Sequence, residues 1–125
     1  MRDDVLAVYL TFPDEASAEH LARLLVERRL AACVNLMPGA RSFYRWQGAV
    51  HTDVEVLAVA KTRAGRLDAL VAAVREEHPF DLPCVVAYPA TGGDAAYLDW
   101  VRAETREEAA DETETDRRGQ PPRGA

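Results

Sequence analysis

Val5-Leu6-Ala7-Val8-Tyr9-Leu10-Thr11-Phe12 is the stretch that decides the fold. It is a short, nearly continuous apolar run rich in β-branched and aromatic residues, and so reads as a strand. In a strand, alternate side chains point to opposite faces. Leu6, Val8, Leu10 and Phe12 fill one side, yet Val5, Ala7 and Tyr9 on the other are no more suited to water. A strand apolar on both faces belongs in the interior of a sheet that is covered on both sides. Pro13 ends it, and Asp14 follows as a helix cap.

Outward from this strand, residues 15–28 place Ala18, Leu21, Leu24 and Leu25 at helical spacing and leave Arg23, Glu27 and Arg28 for water. Residues 31–46 return to extended character, interrupted at Pro38-Gly39, and Gln47-Gly48 turns the chain into a second run at 50–62, giving a long hairpin. Residues 64–77 are helical again, with Leu67, Leu70, Val71 and Val74 on one stripe. His78-Pro79 stops that helix, because proline disfavours helical geometry in the residue before it. A fourth strand at 84–88 follows. After Gly92-Gly93-Asp94, a short final helix offers Tyr97, Leu98 and Val101 to the core, with Trp100 at its edge.

This order predicts an α+β, ferredoxin-like βαββαβ fold: an antiparallel sheet with both main helices on one face, plus a short C-terminal helix. The expected strand order is four, one, three, two. Pro38 and Pro89 then fall in the two edge strands, where the missing ladder donor is tolerated. The domain is expected to span residues 1–106. Residues 107–125 carry six acids and three arginines among Thr, Gly and Pro and are expected to form a disordered acidic tail.

The third strand repeats the two-faced pattern of the first, with Val54, Val56, Ala58 and Ala60 on one side and Leu57 and Val59 on the other. Helices cover only one face of this architecture. The other face must be hidden by further copies of the chain or by the terminal helix, which is short enough to cover only part of it. Self-association is the expectation.

A net charge of -6 with no basic patch argues against nucleic acid and against a membrane surface. No apolar run approaches the roughly 18 residues of a membrane-crossing helix, and the expected compartment is the cytoplasm. Cys33 and Cys84 are too few for a disulfide framework and lack the spacing of a zinc module, so reduced thiols are expected. On opposite edge strands they stand three spacings of about 4.8 Å apart, too far for an intrachain disulfide or a shared metal within one subunit.

Several blocks in order are similar to the CutA family of divalent-cation tolerance proteins, over roughly residues 5–104. They are Ala31-Ala32-Cys33-Val34-Asn35 leading to Pro38-Gly39-Ala40, Phe43-Tyr44-Arg45-Trp46-Gln47-Gly48, Glu55 through Lys61-Thr62, His78-Pro79-Phe80, and Gly93-Asp94 through Tyr97 to Trp100. The resemblance implies a ferredoxin-like fold, a tight homotrimer whose hairpins complete intersubunit sheets, and a likeness to PII signalling proteins. It further implies association with copper or another divalent metal, and no established catalysis. Three positions depart from the family pattern: Gly92 stands where a histidine is common, Ala49 where a lysine is common, and Cys84 where a glutamate is common. Each removes a polar group from the family's candidate pocket, although a thiol at Cys84 offers a softer donor.

The metal-ligand candidates are Cys33, His78 and Cys84, each with a plainer alternative. Cys33 suits Cu(I) or Zn(II) by softness, but a small thiol on an apolar strand also serves as core filling. His78, at a helix end, alternatively bonds a free carbonyl as an imidazolium favoured by the helix dipole. His20 and His51 read as surface residues. Tyr44, Trp46, Glu55, Lys61, Asp94 and Tyr97 are the candidates for a ligand cleft between subunits. Lys61, the only lysine, would hold a small anionic ligand or else form an interface salt bridge with Glu55 or Asp94. The aromatic residues would either line the cleft or simply pack in the interface. Gly92-Gly93 reads as a turn. No nucleophile–base pair or phosphate-cradling loop marks an enzyme. The expected function is therefore metal-ion tolerance with copper at intersubunit clefts, against a PII-like ligand sensor or interaction scaffold with no direct metal role.

Overall fold

The computed structural model describes residues 3–107; the expected acidic tail, Glu107 apart, lies outside them. Strand β1 runs Val5–Phe12, helix α1 Glu15–Glu27, strand β2 Cys33–Trp46 and strand β3 Ala49–Arg63. A turn of 3-10 helix at Ala64–Arg66 leads into helix α2 at Leu67–Glu77. Strand β4 at Val85–Pro89 and helix α3 at Ala95–Glu104 complete the chain. The sheet is antiparallel in the order β2-β3-β1-β4, so the pairing read from sequence holds, with both prolines on edge strands.

Local chemistry explains the boundaries. Asp14 caps α1 by accepting a 2.8 Å hydrogen bond from the Ser17 amide. The same bond holds its carboxyl below the usual carboxylate range. At the other end Leu30 N–H donates to Leu25 O and Arg29 N–H to Val26 O, a Schellman closure with Arg29 at positive φ where glycine is usual. Gln47 and Gly48 both adopt positive φ, the two-residue turn whose twist suits a hairpin. The interruption at Pro38-Gly39 is a bulge: the β2–β3 register shifts between Met37 and Ala40, and Gly39 takes φ 90°.

The main core lies between the sheet and α1 and α2. Leu6, Val8, Leu10 and Phe12 meet Ala18, Leu21, Leu24 and Leu25 from α1 and Leu70, Ala73 and Val74 from α2, all buried. On the opposite face, α3 packs Val101 against Val5 and Ala32, with Tyr97, Leu98 and Trp100 partly buried around them. The terminal helix therefore covers one end of the second face, as the partial alternative required. Elsewhere that face stays open: Tyr9, Met37, Val86 and Tyr88 are exposed.

β1 pairs with β3 only over residues 56–63, whereas β2 and β3 continue together to the turn. Seven residue pairs thus leave the body as a two-stranded ribbon, about 23 Å long at the usual rise. Among the described residues nothing covers its apolar side chains. Phe43 is 64% exposed and Val50 and Val54 are each 66% exposed.

Candidate functional site

Alternation along the strands decides which side chains share the open face. The register puts Cys33 opposite Lys61 and Tyr44 opposite His51, with Glu55 on the same face as Lys61 but six residues away, about 20 Å along the strand. The candidate residues accordingly separate into three places.

One cleft runs along the ribbon, lined by Glu55 of β3 at its root, by Tyr44 and Trp46 of β2 towards its turn, and by Thr11 at the end of β1. The loop after α2 brings Phe80, Asp81, Leu82 and Cys84 to the same corner. With Ser42 they enclose a cleft of about 490 Å³, within the range of small-molecule sites. The Tyr44 hydroxyl donates to Asp53, and its ring stacks on His51 with centroids 5.5 Å apart. That bond, with burial and the charges of Asp53 and Glu55, raises the phenol above its ordinary pKa. Burial also pushes the Cys84 thiol up, the Glu55 charge adds to the effect, and contact with the Thr11 hydroxyl opposes it. Cys84 is thereby biased toward the thiol rather than the thiolate a soft metal prefers.

At the other end of the face, Lys61 Nζ donates to Asn35 Oδ1 at 2.8 Å and lies 5.8 Å from the centre of the Tyr97 ring. Tyr97 Oη and Cys33 Sγ are 3.5 Å apart, and burial, with that contact, raises the Tyr97 phenol well above its usual range. Asp94 is the N-cap of α3, accepting from Tyr97 N–H at 2.9 Å. Among the described residues, Lys61 has no ion pair with Glu55 or Asp94 within the subunit. Within the subunit its contacts are the carboxamide of Asn35 and the face of Tyr97.

His78 belongs to neither cluster. It is buried, stacked 4.8 Å from the Phe12 ring and tilted 5.0 Å from Phe80. Nε2 lies 2.8 Å from the Thr11 carbonyl oxygen, which can only accept, and Nδ1 receives the Phe80 amide at 3.0 Å. Both ring nitrogens are used, which assigns the Nε2–H tautomer and leaves no lone pair for a metal. His78, the C-cap of α2, thus bonds a free carbonyl as the plainer alternative has it, that of Thr11 on β1, with Nδ1 accepting rather than both nitrogens donating as an imidazolium would.

Within one subunit Tyr44, Trp46 and Glu55 thus lie apart from Lys61, Asp94 and Tyr97, and His78 apart from both groups. Among the described residues no group of three or more His, Cys, Asp and Glu is placed to hold a metal ion. Cys33 and Cys84 are free thiols on opposite edges of the sheet, Cys84 immediately before β4. The cleft along the ribbon carries Glu55 and Asp81 and no basic side chain, a poor setting for the small anionic ligand expected beside Lys61. Sequence reading passed over Asp53 and Asn35, although hairpin register alone places Asp53 diagonal to Tyr44. It also passed over Asp81, Leu82 and Thr11, which only tertiary folding brings to the ribbon.

A family model described as "CutA1 divalent ion tolerance protein" matches residues 6–104. The chain is 44% identical over 102 residues to "Protein CutA 1, chloroplastic" of Oryza sativa subsp. japonica, covering 82% of this chain and 58% of that protein. It is 46% identical over 98 residues to "Divalent-cation tolerance protein CutA" of Thermus thermophilus, covering 78% and 95% respectively. The chain thus spans a little over half the length of the plant relative and nearly all of the bacterial one. Among solved structures, CutA1 from Oryza sativa superposes with a TM-score of 0.81 at 42% identity, covering 85% of this chain and 97% of that one. The Cut A1 protein from Thermus thermophilus gives 0.80 at 44% identity, covering 82% and 99%.

Proposed function

The chain belongs to the CutA1 divalent ion tolerance family, and on that premise we propose that it acts in the response to divalent metal ions as a homotrimer with no catalysis of its own. The observation that carries the assembly is the uncovered apolar surface. Tyr9, Val86 and Tyr88 on the open sheet face, and Phe43, Val50 and Val54 on the ribbon, are exposed in a single subunit. Contiguous apolar area of this kind is costly in water. The unpaired edge of β2 adds main-chain donors and acceptors that a neighbouring copy can satisfy. Sedimentation at micromolar concentration tests this, with a trimeric mass expected and a stable folded single subunit overturning it.

Copper or another divalent ion would associate at clefts shared between subunits. The separation of Cys33 from Cys84 supports a shared site, because one subunit cannot bring both thiols to one ion. Isothermal titration of the purified oligomer with Cu(II), Cu(I) and Zn(II) tests the metal; no heat above buffer for all three removes it. A second reading, a PII-like small-ligand sensor or interaction scaffold without a direct metal role, is favoured by the lack of a metal-holding group among the described residues of one subunit. A cytoplasmic setting fits two unpaired thiols.

A further inference from the structure

The cleft along the ribbon has a chemical signature of its own. Three aromatic side chains, Tyr44, Trp46 and Phe80, contribute to its walls together with Leu82. Its two charged lining groups, Glu55 and Asp81, are both carboxylates. Among the described residues neither has a hydrogen bond or ion pair with the protein. Asp53, just outside, already accepts from Tyr44. The charge of Glu55 reaches into the cleft, since it disfavours the anionic forms of both Tyr44 and Cys84.

Each class of occupant can be weighed against this lining. An anion meets two carboxylates and no compensating cation. A bare metal ion finds too few clustered donors among the described residues, in a space of about 490 Å³ walled largely by ring faces and an aliphatic chain. A neutral apolar molecule would bury hydrocarbon but leave the carboxylates unpaired and partly desolvated. A cation with a hydrocarbon body answers all of these: its head pairs with carboxylates, its charge is attracted to aromatic faces, and its body displaces water from the walls.

We infer that this cleft binds a small organic cation, an ammonium or guanidinium group on an apolar stem. The inference extends the small-ligand reading above, and it stands apart from the metal reading because it calls on carboxylates and ring faces rather than on thiols.

The test uses three probes with one body and three charges: benzylamine (protonated at pH 7), benzyl alcohol and benzoate. Binding to the full-length oligomer is followed by isothermal titration. It is followed independently by Trp46 fluorescence in W100F, which leaves a single tryptophan. Benzylammonium is expected to bind about tenfold or more tighter than benzyl alcohol, and benzoate not to bind. E55Q is expected to reduce the benzylammonium affinity toward that of the alcohol and to leave the alcohol unchanged. Equal affinity for ammonium and alcohol, preference for benzoate, or no binding of any probe because a second copy fills the cleft would each overturn the inference. So would displacement of benzylammonium by stoichiometric Zn(II) or Cu(II), which would return the cleft to a metal. Failure of the metal titration alone does not touch the inference, and a monomeric mass bears only on the assembly.

Discussion

Replacing His78 with phenylalanine separates a structural histidine from a metal-binding one. The substitution keeps an aromatic ring between Phe12 and Phe80 and deletes both ring nitrogens. The Thr11 carbonyl loses its 2.8 Å partner and the Phe80 amide its 3.0 Å partner. Each backbone group left without a partner in a buried setting costs about 1–3 kcal/mol. Phe80 is itself partly exposed, so water can reach its amide and that loss falls at the low end. The added ring carbons return about 1 kcal/mol of burial. The expected net loss is about 1–3 kcal/mol, read as a lower urea midpoint with unchanged m-value at fixed protomer concentration. The informative comparison is metal titration of the same variant under conditions where it is fully folded. The hydrogen bonds predict no change in affinity or stoichiometry for Cu(II) or Zn(II). Unaltered stability together with loss of metal binding would refute the reasoning, because it would mean that Nδ1 or Nε2 is free to coordinate.

Thr62 is fully buried and its hydroxyl has no hydrogen-bond partner among the described residues, so T62V is expected to stabilise the fold by about 1 kcal/mol in urea denaturation; destabilisation would point to an uncounted partner. The carboxyl of Asp14 is lowered from 3.8 by the Ser17 amide, so its contribution is present above the unfolded value and lost as pH falls through the folded one. The difference in melting temperature between wild type and D14N should therefore shrink below about pH 4, and a constant difference down to pH 2 would contradict the capping role. Burial and Glu55 keep Cys84 protonated, so in a C33S background it should react with iodoacetamide at pH 8 more slowly than in the urea-unfolded chain, and E55Q should speed the folded reaction. Equal rates in the folded and unfolded states would show that the thiol lies outside the cleft.

The residues that proved hardest to place from sequence are those whose partners lie far along the chain. His78 was visible as a helix stop, because the effect of Pro79 on its neighbour is local. Its bond to Thr11 spans 67 positions and depends on the loop after α2 reaching the end of β1. Glu55 and Lys61 were correctly assigned to one face by the period of two. That they serve different ends of that face follows from strand rise, but what each meets there does not. Lys61 finds Asn35 and Tyr97 because β2 and α3 are laid beside it, and Glu55 finds a cleft because the ribbon leaves the sheet one residue beyond Val56.

The sequence by itself determined the order of elements, the strands' two-faced apolar character, the cap at Asp14, and the edge positions of Pro38 and Pro89. These depend on spacing, turn chemistry and backbone sterics, all of which act over a few residues. Only the tertiary structure decided that α3 covers one end of the open face while the ribbon and the loop after α2 wall a cleft. It also gave both nitrogens of His78 partners within the subunit and set Glu55, Lys61 and His78 in three separate places. Such outcomes depend on how far apart strand register and helix docking carry residues that share a face, a distance that no local pattern encodes.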